Sequence, residues 1–483
     1  MAELRKRRDE ITTADLVELR LDTVADPSAA GALAGRRRPV IVTCRPAWEG
    51  GWFRGSEEER HRLLSEAQQR GAEYVDVEWA AQFHDIIAAR GGQGVIVSRH
   101  DFTGMPPDLA DQARAMRATG AEIVKVAVTT RRLSDCVTLL GLAATIPTPK
   151  VVIGMGETGL ATRVLASRFN ACWTYAGTDS ASGQPSLSQL LDELAFRSVG
   201  ERTALYAVVG RPVMHSLSPA IHNAAFRAAR LDAVYLPLAA ADFDDFLAFA
   251  DAVGLTGASV TAPFKIAAFE RAEGSDAVTR RIGAVNTLRR HGSGWAGCNT
   301  DVGGFLAPLQ QRMSLRDRRA TILGAGGAAR AVAEALHSAG ARVSVAARRW
   351  DAAQAVAQLV GGSTAGWPPT PGSWDVLVNA TPVGMSPDIC DSPLPGGPFT
   401  GALVYDLVYD PPETRLLQEA RAAGCATIGG LEMLLAQAQQ QFEWWTGLKA
   451  PERAMREAAH AALARRRSSG PALAAGRDRS TLP

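Results

Sequence analysis

Seven short runs rich in β-branched residues recur between helical stretches in the first part of the chain: LVELRLD, PVIVTCR, YVDVEW, GVIVSRHD, EIVKVAV, KVVIGMG and CWTYAG. Strands and helices in strict alternation build a parallel sheet, because each parallel crossover needs a covering element. Such a sheet is either a doubly wound layer or a closed barrel, and the polar residues inside the runs discriminate. Glu18 and Arg20 share one face of the first run, Arg45 ends the second, His100 ends the fourth, and Lys125 stands inside the fifth. A (β/α)8 barrel gathers the C-terminal ends of its strands at one mouth, so charges from different strands converge there. An open layer would scatter them. The chain is therefore expected to be an α/β protein that begins with a (β/α)8-type barrel.

Lys125 is the sharpest of these residues. Strand side chains alternate between faces, so Ile123, Lys125 and Ala127 point one way and Val124, Val126 and Val128 the other. An ammonium among apolar neighbours loses hydration, and burial is expected to lower its pKa toward the range of a neutral, nucleophilic amine. The bland alternative is a lysine at a strand edge whose head reaches water. Asp76 and Glu78, also on one strand face, are read as structural.

The 483 residues suffice for two to four domains, and 52 Lys+Arg against 50 Asp+Glu give a formal net charge of +2. That balance gives no reason to expect a nucleic-acid or membrane partner. The six cysteines lack CxxC or zinc spacing, so they read as reduced thiols of a cytoplasmic protein with no metal site. No apolar stretch is long enough to span a bilayer, the N-terminus lacks a hydrophobic signal core, and no short-period repeat is visible. The basic, small-residue tail at 465–483 is expected to be disordered.

FRSVGERTALYAVVG marks a restart near residue 200. Further on, ATILGAGGAARAVAEALHSAG places a glycine-rich turn between an apolar strand and an alanine-rich helix. Gly324 suits the tight turn, Gly326 lets the backbone approach a pyrophosphate, and Ala329 allows close helix packing. The next strand ends in Arg348 and Arg349 without the acidic residue that would bind a ribose 2′-hydroxyl, so a 2′-phosphate, hence NADP, is expected.

In order, ELRLD, TCRPAWEGG, VSRHDF, VKVAV, GMGETGLATR and SASGQ resemble the type I 3-dehydroquinate dehydratases over residues 10–198. The resemblance implies that Lys125 forms an imine with a substrate ketone, that His100 moves protons, and that Glu18 orients His100. It assigns Arg20, Arg45 and Arg163 to the substrate's carboxylate and hydroxyls, Ser180 and Gln184 to a closing loop, and Glu49 to the substrate's surroundings. It also implies that the first strand of the barrel is missing, since the family's first strand should precede ADLVELRLD; a start upstream or a shortened N-terminus is the expectation.

HSLSPAIHN, SVTAPFK, GAVNTL, GCNTD, NATPVGM, YDLVYDP and GGLEMLLAQAQQQF resemble shikimate dehydrogenase over residues 203–464. The implied architecture is two-lobed: a substrate lobe at 203–305, a Rossmann NADP lobe at 306–430, and helices at 431–464 returning to the substrate lobe. Lys265 and Asp301 would flank the reacting carbon. Ser216 and Ser218 would hold a carboxylate, with Thr261, Asn286, Tyr409 and Gln437 framing the pocket. Gly324, Gly326, Gly327, Ala328, Arg348, Arg349, Thr381, Met385 and Gly430 would contact the cofactor. Together the resemblances imply two successive reactions on small-molecule substrates, 3-dehydroquinate to 3-dehydroshikimate and then NADPH-dependent reduction to shikimate, from domains 1–198 and 203–464. The alternatives are a quinate dehydrogenase using NAD in the second half, and a barrel that serves only as a scaffold.

Overall fold

The first sheet is built from β1 (Val17–Arg20), β2 (Val40–Thr43), β3 (Tyr74–Glu78), β4 (Val95–Asp101), β5 (Ile123–Thr129) and β6 (Lys150–Met155), all parallel and paired in chain order. The structure is a computed structural model that describes residues 1–147, 149–177 and 183–468. Two units divide the chain: residues 1–203 with 238–253, and residues 204–237 with those from 254 onward.

Both faces of the first sheet are covered, as parallel sheets require. Val75, Val77, Val95, Val97, Val124, Val126 and Val128 are buried on the side facing the helices. Ile41, Ile96, Ile123, Ala127, Val151 and Ile153 form the inner cluster, with Trp173 and Tyr175 packed against it. Lys125 projects from this inner face, between Ile123 and Ala127.

Among the described residues the sheet has six strands rather than the expected seven. CWTYAG forms no strand: its Cys172 N–H donates to Lys150 O at 2.8 Å, and a single bridge joins Gly177 to Ser186. The segment contributes the Trp173 and Tyr175 side chains without extending the ladder. No strand precedes β1 among the described residues; the helix Ala2–Glu10 stands there instead. The result is an open half-barrel with β1 and β6 as its edges.

The second unit carries two sheets. In the first, β7 (Ala204–Gly210), β8 (Ala233–Ala239), β9 (Leu255–Val260), β10 (Thr287–His291) and β11 (Gly294–Cys298) lie in the order β11-β10-β9-β7-β8. The other contains β12 (Arg319–Leu323), β13 (Arg342–Ala346), β14 (Ser363–Thr364), β15 (Val376–Asn379), β16 (Leu403–Asp406) and β17 (Ala426–Ile428), ordered β14-β13-β12-β15-β16-β17 and parallel throughout. Counted from β12 this is the 3-2-1-4-5-6 order of a Rossmann layer, whose ligand crevice opens where the order reverses, beside β12.

The boundary of the tail differs from expectation. Residues 465–468 complete the helix Glu452–Ser468, while 469–483 lie outside the described residues. Among the described residues no helix is long and apolar enough to cross a membrane.

Candidate active sites

The inward positions of β2 to β5 bring a charged group together inside the half-barrel. Lys125, 4% exposed, donates from Nζ to Asp76 Oδ2 at 2.9 Å, and Nζ stands 4.4 Å from the centre of the Tyr175 ring. Arg45 donates to the same Asp76 oxygen at 3.1 Å, to Glu78 at 2.8 Å and to Ser98 Oγ at 2.9 Å. Ser98 in turn donates to Asp76 Oδ1 at 2.5 Å, and the fully buried Arg60 pairs with Glu78. Each interior charge in this lattice has an opposite one, the condition under which burying it is tolerable.

The expected fall in the Lys125 pKa does not occur. Burial pulls the ammonium down, but Asp76, with Tyr175 and Glu18, outweighs it and holds the amine above its ordinary value. Asp76, read from sequence as structural, is the direct partner of Lys125.

A second correction concerns the group that orients His100. Glu49, not Glu18, does so: its Oε1 lies 2.8 Å from His100 Nδ1 and accepts the His100 backbone N–H at 2.9 Å. Because that one oxygen already accepts a backbone N–H, it accepts the Nδ1 proton too, which leaves Nε2 as the ring's basic position. Glu18 instead accepts from Thr43 Oγ1 at 2.7 Å. Burial, followed by the charges of Arg45 and Lys125, holds His100 well below the usual imidazole range, so the ring is neutral.

Burial also pushes the Glu49 carboxyl up to about 7. Between its ordinary value and that one, the folded state holds a proton the unfolded chain has released, so stability falls as pH rises through this window. Ionised Glu49 costs the fold on the order of 3 kcal/mol above the window. His100, whose folded pKa is depressed, acts oppositely and lower, contributing stability that is lost on acidification below pH about 6.5. As pH rises from about 4.5 to about 7, Glu49→Gln should therefore lose less thermal stability than the wild type. Parallel unfolding-temperature curves across that interval would refute the shift.

The remaining barrel residues lie around this lattice. Arg20 forms a two-point pair with Asp22 at 2.8 and 2.7 Å. Arg163 is 6% exposed and donates to Tyr175 O at 3.2 Å; burial alone lowers it to about 10, with no carboxylate against it among the described residues. The Gln184 side chain lies against Gly177, and Ser180 falls outside the described residues.

In the second unit, Lys265 begins the helix Lys265–Arg271 and Asp301 begins the helix Asp301–Gln310, with Nζ and Oδ2 2.5 Å apart. Asn286 donates to Asp301 Oδ1 at 2.7 Å and to Thr300 Oγ1 at 3.0 Å. Behind them Gln441 donates to Thr287 Oγ1 at 3.0 Å and accepts from Ser259 Oγ at 2.9 Å, and Tyr235 donates to Ser259 at 2.6 Å. Burial drives His222, next to Gln441, down to about 3. Ser218 begins the helix Ser218–Ala228, its N–H donating to Ser216 Oγ at 3.1 Å. Thr261 borders this region through its contact with Gly210, whereas Gln437 donates to Leu434 O of its own helix at 3.0 Å and packs on Gly304.

The glycine-rich turn joins β12 to the helix Gly327–Ser338. Gly324 has φ +112°, and a Cβ there would meet Ala380 O at 2.9 Å, so only glycine fits. Gly326 caps the helix without a side-chain bond, and a Cβ on it would enter open space. Together they leave an anion cradle of free N–H groups from Gly327 and Ala328. A Cβ on Gly327 would lie 3.4 Å from Lys265 Cδ, which puts the cradle beside the Lys265–Asp301 pair. Thr381 touches Gly324 and is fixed by Asn379 at 2.7 Å. Gly430 starts the helix Gly430–Thr446 against Leu407 O, Met385 is 43% exposed, and the exposed Arg348 and Arg349 follow β13 with no ion pair among the described residues.

Comparison with known proteins finds two families along the chain. Type I 3-dehydroquinase matches residues 1–201, the shikimate dehydrogenase substrate binding domain residues 208–288, and the shikimate 5′-dehydrogenase C-terminal domain residues 430–460. The chloroplastic bifunctional 3-dehydroquinate dehydratase/shikimate dehydrogenase of Arabidopsis thaliana is 36% identical over 476 residues, covering 91% of this chain and 79% of that protein. The chain belongs to this bifunctional family. An NADP(+) shikimate dehydrogenase of Halobacterium salinarum is 45% identical over 266 residues, 54% of this chain and 99% of that one. A solved shikimate dehydrogenase in complex with NADP+ superposes with TM-score 0.52 at 32% identity, covering 55% of this chain and 97% of its own.

Sequence reading missed Asp76, Ser98, Arg60 and Tyr175 in the barrel, and Gln441 in the second unit. Asp76 carried the same signal as Lys125, a charge at an inward strand position. Gln441 sits one helical turn beyond Gln437 and so shares its face.

Proposed function

We propose that the barrel site dehydrates 3-dehydroquinate to 3-dehydroshikimate through an imine on Lys125, and that the second site reduces 3-dehydroshikimate to shikimate with NADPH. The two activities make the chain a bifunctional lyase and oxidoreductase of the shikimate pathway. The single observation that carries the first half is the inward amine of Lys125 on Asp76, two strand positions from a neutral His100 held by Glu49.

The neutral His100 takes a proton from Lys125 so that the free amine attacks the substrate ketone, and returns it as the carbinolamine oxygen leaves as water, giving an imine. Protonated, that imine withdraws electrons and makes the adjacent C–H acidic. The Asp76 carboxylate that keeps Lys125 cationic also keeps the iminium cationic, which an electron sink requires. His100 Nε2 takes the proton and returns it to the departing hydroxyl, which leaves as water, and hydrolysis of the imine frees Lys125. Glu49 stabilises the imidazolium formed between these steps. Arg163 is the buried cation suited to the substrate's carboxylate.

At the second site the open cradle at Gly326, with Arg348 and Arg349 for the 2′-phosphate, fits NADP. When bound, that cofactor supplies hydride to the carbonyl carbon. Lys265 gives a proton to the resulting oxygen, and Asp301 holds Lys265 in line while accepting from a neighbouring hydroxyl. Ser216 and Ser218, at a helix N-terminus, receive the carboxylate.

The test is direct. Purified protein given 3-dehydroquinate alone should develop enone absorbance, and given 3-dehydroshikimate should consume NADPH stoichiometrically; absence of either removes the corresponding half. Arg348→Ala should raise KM for NADPH about tenfold to a hundredfold and leave NADH unaffected, since only the 2′-phosphate pair is lost. Equal effects on both cofactors would reassign Arg348. The reading places the chain in the cytoplasm, supported by its free cysteines, and assigns it small-molecule substrates.

A further inference from the structure

The helix Glu452–Ser468 continues past residue 460, where the match to the dehydrogenase C-terminal domain ends, and closes in Arg465, Arg466 and Arg467. Arg466 turns back onto the loop that carries the two serines. Its Nη1 donates to His215 O at 2.8 Å and its Nη2 to Ser216 O at 3.1 Å. Asp410 stands 3.6 Å from Nη1, with both side chains about a quarter exposed (27% and 25%), and the guanidinium's charge acts on the phenol of Tyr409.

Ser216 and Ser218 are neutral donors, and a helix N-terminus offers only partial positive charge. Stripping a carboxylate of water against such groups alone is costly, whereas a guanidinium makes charge-assisted bonds to it. Each Nη of Arg466 carries two hydrogens and gives one to a loop carbonyl, so each retains another. Its ion partner is replaceable: the 3.6 Å contact with Asp410 is long and part-solvated, the kind of pair that contributes little. The two carbonyl bonds, by contrast, fix the guanidinium against the backbone of the serine loop.

We propose that Arg466 is a carboxylate-binding residue of the second site, exchanging Asp410 for the carboxylate of the cyclic hydroxy acid held by Ser216 and Ser218. This rests on the reading above in which those serines face the carboxylate. Arg466 thereby selects for anionic substrates and adds a cation from a helix turn that lies beyond the matched family domain.

The experiment measures NADP+-dependent oxidation of shikimate and of its neutral methyl ester by the full chain, as wild type, Arg466→Ala and Arg466→Lys. Arg466→Ala should lower kcat/KM for shikimate about tenfold to a hundredfold, chiefly through KM, and leave the ester within about twofold. Arg466→Lys should recover part of the loss, because it restores charge without the fork. Dehydration of 3-dehydroquinate by the same samples should be unchanged and reports folding of the chain. Equal losses on acid and ester would make Arg466 a structural clamp and overturn the proposal, as would an unchanged KM for shikimate. Failure of the wild type to oxidise shikimate would instead sink the reading of the site itself.

Discussion

Lys125→Ala should lose dehydration of 3-dehydroquinate by at least about a thousandfold and show no added mass after borohydride treatment with substrate. The wild type, treated identically, should carry one reduced substrate on Lys125. Among the described residues the other lysine of the sheet, Lys150, is tied to Ile146 O at 2.6 Å and not to Asp76. The alanine variant should still fold, because Asp76 keeps Arg45 at 3.1 Å and Ser98 at 2.5 Å and so is not left an unpaired buried charge. Unimpaired shikimate oxidation by the same preparation provides the control. An adduct on another residue, or dehydration surviving the substitution, would remove the imine from the mechanism, and an inert wild-type barrel would favour the scaffold reading.

Asp301→Asn should lower kcat for the reduction by about a hundredfold to a thousandfold while leaving the dehydratase untouched. Asparagine retains the shape and can still accept from Asn286, now 2.7 Å from Oδ1, but it breaks the ion pair to Lys265 at 2.5 Å. The loss should fall on kcat more than on KM, since the pair acts on the oxygen that develops charge as the carbonyl is reduced. A change confined to KM would make Asp301 a binding residue only.

How much of this was legible beforehand depends on range. Strands and fingerprints are local patterns, so a parallel barrel-type sheet and a Rossmann lobe follow from short motifs, although six strands stand where seven were expected, and the placing of Lys265 beside Asp301 came only with the family resemblance. The choice between Glu18 and Glu49 as partner of His100 was not local. Glu18 sits on a strand in register with Ile41, while Glu49 lies beyond β2 in a short turn, Ala47–Glu49, that folds over the mouth. Only the three-dimensional path of that turn brings its carboxylate to the ring. The Lys125 pKa failed for a related reason: burial was readable from the apolar run, but the sign of the shift depended on Asp76 one strand beyond its neighbour. CWTYAG had the composition of a strand without the ladder to make it one. Arg466 lay in a basic run with no periodic or motif signal to distinguish it from its neighbours.

Arg163 gives the half-barrel an asymmetry with a physical outcome. Its companions Arg45, Arg60 and Lys125 are neutralised from within, whereas among the described residues Arg163 meets only a carbonyl. An incoming anion thus completes the electrostatics of the fold, and occupancy and rigidity of the barrel interior should rise together. Substrate becomes, for the duration of the reaction, a structural counter-ion.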